Sequence, residues 1–243
     1  ENAVITPILW YAMDRFVVRQ NDRWRWDLLG ILVAAVAISV VAWVYWPTID
    51  RMTREAEAVT RLDYFLAQGP ILWTYIGKFF IPINQKLEYG ISQNIFPLWL
   101  SILAWLGHLC VIIIAFAVRK RWSMVTFGVA WYYISISVES SIIPISDFAF
   151  EHRTYLPNIG IVFALVPLLV GLIKAKRFYS LWLLPLAVII LTLTSAHRTY
   201  LWSNSDLFYK NEYRHNPTNV RIQSEFAQAA YQEGNYQKAA QIY

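Results

Sequence analysis

PLWLSILAWLGHLCVIIIAFAV (Pro97–Val118) is the stretch on which the fold turns, and it holds no Asp, Glu, Lys or Arg. A helix of about 20 apolar residues crosses a bilayer core, and there every backbone N–H and C=O must pair inside the segment because no water is available. This run passes that test. Leu28–Trp46 passes it too. Trp122–Val138, Asn158–Ile173 and Phe178–Thr194 lie near the lower limit of about 17 residues but carry suitable flanks. Hydrophobic residues form 57% of the chain and charged residues 15%, which disfavours the buried helices of a large soluble protein. The expected fold is all-α: a polytopic helical membrane protein with about five full spans. Asn2–Met13 reads as the last turns of a further, partial N-terminal helix.

The basic residues give an orientation. Arg15, Arg19, Arg23 and Arg25 precede Leu28–Trp46, Arg119–Lys120–Arg121 follows Val118, and Lys174, Lys176 and Arg177 precede Phe178. These clusters fall on alternate loops, as the positive-inside rule requires of the cytoplasmic face. The opposite loops carry Asp50, Glu55, Glu57, Asp63, Glu88, Glu139, Asp147 and Glu151. The C-terminal tail is then expected outside, in a periplasm or lumen, with a bacterial inner membrane favoured over an endoplasmic reticulum. The membrane anchors account for the net charge of +5, no basic stripe is left for nucleic acid, and membrane lipids are the expected surroundings. The single cysteine, Cys110, excludes a disulfide within the chain. His108, alone on an apolar run, reads as a packing or hydrogen-bonding residue. No metal-ligand cluster is present in the sequence, so a divalent metal is not indicated.

Beyond the last apolar run the composition changes. VRIQSEFAQAAYQEGNYQKAAQIY (Val220–Tyr243) has small residues at Ala227 and Ala239, a Gly234–Asn235 turn, and Tyr236 and Tyr243 on the segment that follows. In a helix-turn-helix repeat, small residues let paired helices approach, glycine ends the first helix, and tyrosines fill the groove. The stretch corresponds to roughly two thirds of a 34-residue tetratricopeptide unit. One repeat cannot bury its own face, so the chain is expected to be a piece of a longer protein. Two divisions follow: residues 1–200 as the helical transmembrane region, and residues 201–243 as a junction and a first, truncated repeat of an α-solenoid.

Two outer segments hold the chemistry. In residues 48–96, Arg51–Gln68 forms an amphipathic helix candidate with Met52, Ala56, Val59 and Leu62 or Tyr64 on one side. Ile71–Ile83 is apolar but too short to span, which suggests an interfacial or re-entrant piece with Lys78 snorkelling and Trp73 and Tyr75 at headgroup level. That piece is either a lid without chemistry or a substrate-lining element. The second segment, Glu139–Gly160, gathers Glu139, Asp147, Glu151, His152 and Arg153 near the membrane surface, where ionisable groups are costly unless paired or used. Arg153 offers a fork of donors for phosphate or carboxylate, and His152 a donor or proton acceptor near neutral pH. Glu139 and Glu151 suit a base, or a structural clasp with Arg153.

FEHRTYLPNIG (Phe150–Gly160) resembles the E-R-x-x-Y-L-P-S-x-G loop of the transmembrane and tetratricopeptide-repeat O-mannosyltransferases and their bacterial relatives. Glu151, Arg153, Tyr155, Leu156, Pro157 and Gly160 match it, with His152 inserted in the Glu–Arg pair and Asn158 in place of Ser. ILWTYIGKFFIPINQKLEY is similar to another segment of that family through Tyr75, Pro82 and Tyr89. The junction resembles it through Arg198, Trp202, Asp206–Leu207–Phe208 and Pro217–Thr218–Asn219.

The resemblance implies a GT-C type membrane glycosyltransferase that moves a sugar from a polyprenyl-phosphate donor to a protein or glycan acceptor on the outer face. Such chemistry needs a carboxylate base and cations or donors for the leaving phosphate. The family's acidic base is expected upstream of Glu1. This chain is then expected to hold the phosphate side, with Arg153 and His152 as donor phosphate ligands, Glu151, Glu139 and Tyr155 in support, and the repeat docking the acceptor. No cofactor is implied besides the lipid-linked sugar. A polysaccharide polymerase or ligase would need a larger outer loop. A non-catalytic scaffold whose outward repeats recruit partners is the other reading.

Overall fold

The computed structural model describes residues 5–18, 60–83, 85, 89, 96–137, 140, 149–174, 180–215 and 220–242, and all regular structure within them is helical. Helix α1 (Thr6–Met13) runs into a π-helical turn (Asp14–Val18). Then come α2 (Arg61–Phe80), α3 (Leu98–Ala117), α4 (Ser123–Ile136), a 3-10 turn (Glu151–Thr154), α5 (Tyr155–Lys174) and α6 (Ser180–Trp202). The tail is α7 (Ser205–His215), α8 (Val220–Gln232) and α9 (Tyr236–Ile242).

Among the described residues, two helical stretches are long and apolar enough to cross a membrane: Leu98–Ala117 and Glu151–Leu172. Only 22% and 11% of their apolar windows are buried within the chain, so most of that surface faces outward. A soluble core helix would show the reverse. Trp122–Val138 departs from expectation, because α4 has 14 residues and is too short to span alone. Leu28–Trp46 lies outside the described residues. The last apolar helix does not end near Thr194. It continues to Trp202, and within it Thr192, Thr194 and Thr199 donate their hydroxyls to the carbonyls of Val188, Ile190 and Ser195, at 2.8, 3.0 and 3.0 Å.

The two candidate pieces of residues 48–96 merge. A single helix, α2, runs from Arg61 to Phe80 through Pro70. Thr60 caps it, its hydroxyl oxygen accepting the Asp63 N–H at 3.1 Å, and Asp63 places a carboxylate in the first turn. Tyr64, Ala67, Ile71, Leu72 and Tyr75 recur at helical spacing and are all buried, with Tyr132, Ile136 and Ala149 in the same cluster. Tyr64 is thus on the buried side, while Leu62 is exposed. Arg51–Val59 lies outside the described residues.

Tryptophans lock α2 to α3. The Trp105 indole N–H donates to the Phe65 carbonyl at 3.0 Å, and the Trp73 N–H donates to the Ala104 carbonyl at 3.0 Å. Each ring lies over a glycine of the other helix. A Cβ on Gly69 would come 2.9 Å from the Trp105 ring, and one on Gly107 3.1 Å from Trp73. Trp73, though 37% exposed, therefore lays its ring on α3 and bonds its N–H there, since an indole N–H at an apolar contact needs an acceptor.

His108 joins three helices. Its Nε2 lies 3.0 Å from the Gly69 carbonyl and its Nδ1 2.8 Å from the Tyr133 hydroxyl. A carbonyl can only accept, so Nε2 carries the proton and Nδ1 accepts from Tyr133. The ring also stacks on Trp73 with centroids 4.6 Å apart. Both ring nitrogens have partners here, as the packing reading expects.

Among the described residues, the α4–α5 pair is the most intimate. A Cβ on Gly128 would sit 2.5 Å from the Ala164 nitrogen, and one on Gly160 2.7 Å from the Tyr132 nitrogen. Backbone meets backbone here, as small residues permit between apolar helices. Gly160, the glycine of the Phe150–Gly160 segment, is thus explained by packing.

In the tail, α8 ends in a Schellman turn. The Asn235 N–H donates to the Ala230 carbonyl at 2.9 Å, the Gly234 N–H to Tyr231 at 3.0 Å, and Gly234 adopts φ +80°. Asn235 then caps α9 by accepting the Lys238 N–H at 3.1 Å. Ala227, Ala230 and Ala239 are buried between the helices, as expected of a helical hairpin. Tyr236 differs: it is 63% exposed, stacked edge-on against Tyr231 across the turn. Standing at the first position of α9, it lies beyond the seam, and Phe226 fills the inner position against Tyr213 of α7, centroids 5.5 Å apart. Tyr243 lies outside the described residues. Gly234→Ala should destabilise the hairpin by about 1–2 kcal/mol, because a side chain resists the left-handed conformation. Guanidinium unfolding of the two proteins, followed by circular dichroism, checks this.

Candidate functional site

A cavity of about 550 Å3 opens between the C-terminal end of α2, the 3-10 turn with the first turns of α5, and the C-terminal end of α6. Tyr75 and Lys78, then Glu151, His152, Tyr155 and Asn158, then Arg198 and Trp202 line it. Each segment singled out in the sequence contributes a wall.

The wall from residues 150–160 is held by two tyrosines. The Tyr75 hydroxyl accepts the Phe150 N–H at 2.9 Å, fixing the chain just before the 3-10 turn. The Tyr89 hydroxyl donates to Glu151 Oε1 at 2.7 Å. Burial first, then the bond to Glu151 and its charge, raise the Tyr89 phenol above its ordinary value, so this donor stays protonated. Beneath, the Trp131 indole donates to the Leu156 carbonyl at 2.9 Å, and Asn158 Nδ2 donates to the Thr154 hydroxyl at 3.2 Å. A turn at the mouth of an apolar helix is thereby given a fixed shape.

Arg198 closes the opposite side. Its Nη1 donates to the Gln85 carbonyl at 2.9 Å and pairs with Glu212 Oε1 at 3.3 Å. Glu212 is 1% exposed, so its carboxylate meets this guanidinium where little water reaches it. The guanidinium also lies over the Trp202 ring at 5.6 Å and the Phe208 ring at 5.9 Å. One side chain therefore ties α6, the strand of chain at Gln85 and the tail helix α7 together at the cavity. Lys78 does not extend outward as a snorkelling residue would. It bends to donate to the Ile83 carbonyl, just past the end of α2, and still lines the cavity.

The expected site residues divide. His152, Glu151 and Tyr155 all line the cavity, with His152 and Tyr155 exposed to it. Arg153 does not line it. It is 9% exposed, turned under the 3-10 turn, with its guanidinium 5.5 Å from the Phe150 ring. In a 3-10 turn side chains three apart share a face, so Arg153 is set off from both Glu151 and His152. Glu139 lies outside the described residues. Arg198 and Lys78 supply the cations that the sequence reading assigned to Arg153. A charge just before the end of a long apolar helix was the available signal for Arg198. Nothing in the local pattern marked Glu212.

A second opening is a shallow groove along α6, lined by Val188, Leu191, Thr192, Ala196 and Thr199. Thr199 lines both openings. Among the described residues no group of three or more His, Cys, Asp or Glu side chains is arranged to hold a metal ion. No family model matches the chain, and comparison with curated proteins and with solved structures returned no match.

Proposed function

We propose that this chain is part of a polytopic membrane glycosyltransferase of the GT-C type, related to the tetratricopeptide-repeat O-mannosyltransferases, which takes a sugar from a polyprenyl phosphate and passes it to a protein or glycan acceptor on the periplasmic or lumenal face. The observation that carries the reading is the convergence of three separate segments, around Tyr75, Glu151 and Arg198, on one cavity, beside an apolar groove along α6 that shares Thr199 with it. A polyprenyl phosphate is an amphiphile of that shape. Its phosphate would lie among Lys78, His152 and Arg198, and its isoprenoid chain along α6 from Thr199 towards Val188. The cations would offset the charge that grows on the leaving phosphate. Glu151, held by Tyr89, would orient the sugar, and Arg153 would act from beneath by shaping the turn. The α8–α9 hairpin would be the start of the solenoid that receives the acceptor.

The scaffold reading draws support from one feature, the exposed Tyr231–Tyr236 pair on the hairpin, a surface of the kind that binds partner proteins. Binding decides between the readings. The chain reconstituted in vesicles should bind polyprenyl-phosphate mannose saturably, and His152→Ala with Lys78→Ala should weaken it by about tenfold or more, the effect of losing charged contacts. Binding that is absent, or indifferent to both substitutions, would sink the enzyme reading.

A further inference from the structure

We propose that the chain has a second ligand site, for the phosphate group of an anionic membrane lipid, in a cavity that runs along α4 and whose basic mouth lies away from the Glu151–Trp202 cavity. A cavity of about 810 Å3 lies between α1 with its π turn, the C-terminal end of α3, and α4. Arg15, Arg119 and Lys120 line it together with the apolar side chains of Ile8, Ala130 and Ile134. Arg15 and the Arg119–Lys120 pair, far apart in sequence, thus meet at one opening. No Asp or Glu is among its described lining residues.

Its position follows from the α4–α5 pair. Trp131 bonds Leu156 near the 3-10 turn, whereas Trp122 lies beside Gly171, 3.5 Å from a Cβ built there. The Arg119–Ser123 turn is therefore at the opposite end of that pair from Glu151. Helix α4 also begins here, at Ser123, and Trp122 at its N-cap provides no side-chain acceptor. The positive end of the helix adds to the three cations.

Polarity selects the ligand class. Cations with an apolar wall suit a phosphate that carries hydrocarbon. Basic pockets between membrane helices on the positive side bind anionic headgroups in this way. A free phosphate would leave Ile8, Ala130 and Ile134 uncovered. The proposal uses the reading that the chain sits in a membrane, but it is independent of sugar transfer.

The test is native mass spectrometry of the chain released from nanodiscs of phosphatidylcholine alone or mixed with phosphatidylglycerol. One phosphatidylglycerol should be retained in preference to phosphatidylcholine. Arg119→Gln with Lys120→Gln, both exposed side chains, should lower that retention by about tenfold or more with unchanged thermal unfolding. Excess inorganic phosphate should not displace the lipid. Displacement would overturn the lipid assignment, and retention without headgroup preference, or unaffected by the two substitutions, would overturn the site. A chain that does not enter nanodiscs would overturn the membrane reading and the site with it.

Discussion

Arg198→Met is expected to lower folding stability by about 1.5–3 kcal/mol, because it removes a charged hydrogen-bond partner from the Glu212 carboxylate in a nearly dry position. The guanidinium keeps 20% of its side-chain surface exposed, which places the effect towards the lower end of that range. Part of the loss is the cost of leaving a buried acid with one charged partner fewer, beyond the net strength of the pair. Arg198→Met combined with Glu212→Leu should therefore recover part of it. Chemical denaturation in detergent of the wild type, both single variants and the double variant forms a complete cycle, and additive losses would show that the pair is uncoupled. Lys at position 198 should rescue only in part, since an ammonium cannot serve the Gln85 carbonyl, Glu212 and two aromatic rings as a planar fork does.

The other large effect lies at the α4–α5 contact. Gly160→Ala should cost about 1–3 kcal/mol, because the added carbon meets the Tyr132 backbone and not a side chain that can turn away. Gly77→Ala is the matched control. Gly77 also sits within a helix, but a Cβ there meets nothing within 4 Å. That substitution should be neutral or stabilise by about 0.5–1 kcal/mol, the ordinary preference of a helix for Ala over Gly. Thermal unfolding of both variants measures the contrast. Equal effects at the two positions would show that backbone approach does not limit the α4–α5 distance.

Helices were legible where hydrophobic runs are long and uninterrupted. Pro97–Val118 predicts α3 to within a residue at each end. The hairpin was legible because Gly234 and Asn235 have local jobs that their residue types announce: a left-handed turn and an N-cap. The division of Arg61–Phe80 at Pro70 failed for a physical reason. Proline interrupts only one hydrogen bond, and the burial of Tyr64, Ile71 and Tyr75 on one face outweighs that loss. The far end of α6 was misjudged because the apolar run stops at Thr194, whereas the more polar residues beyond it stay helical, with the Thr199 hydroxyl returning to the helix's own Ser195 carbonyl.

For the candidate site, the segments were legible but not the assignment of charges within them. Glu151, His152 and Tyr155 are adjacent enough to be read together. Which of two neighbouring cations faces the cavity depends on the phase of a four-residue 3-10 turn, and that phase is set by Tyr75 on a distant helix. The pairing of Arg198 with Glu212 joins an apolar helix to a polar one across a turn, a contact that no periodicity encodes.

The crossed indoles of α2 and α3 bear on how the protein assembles. Each indole donor finds its acceptor only when the partner's glycine stands opposite it. A slip of one helical turn would press both rings against bulkier residues and leave two donors without acceptors in an apolar setting, so intermediate alignments are penalised twice. The two helices thus check each other's register as they meet. Tyr75 lies on the same helix as Trp73, so a pair that passes this check has already set the height at which the Phe150 loop must dock.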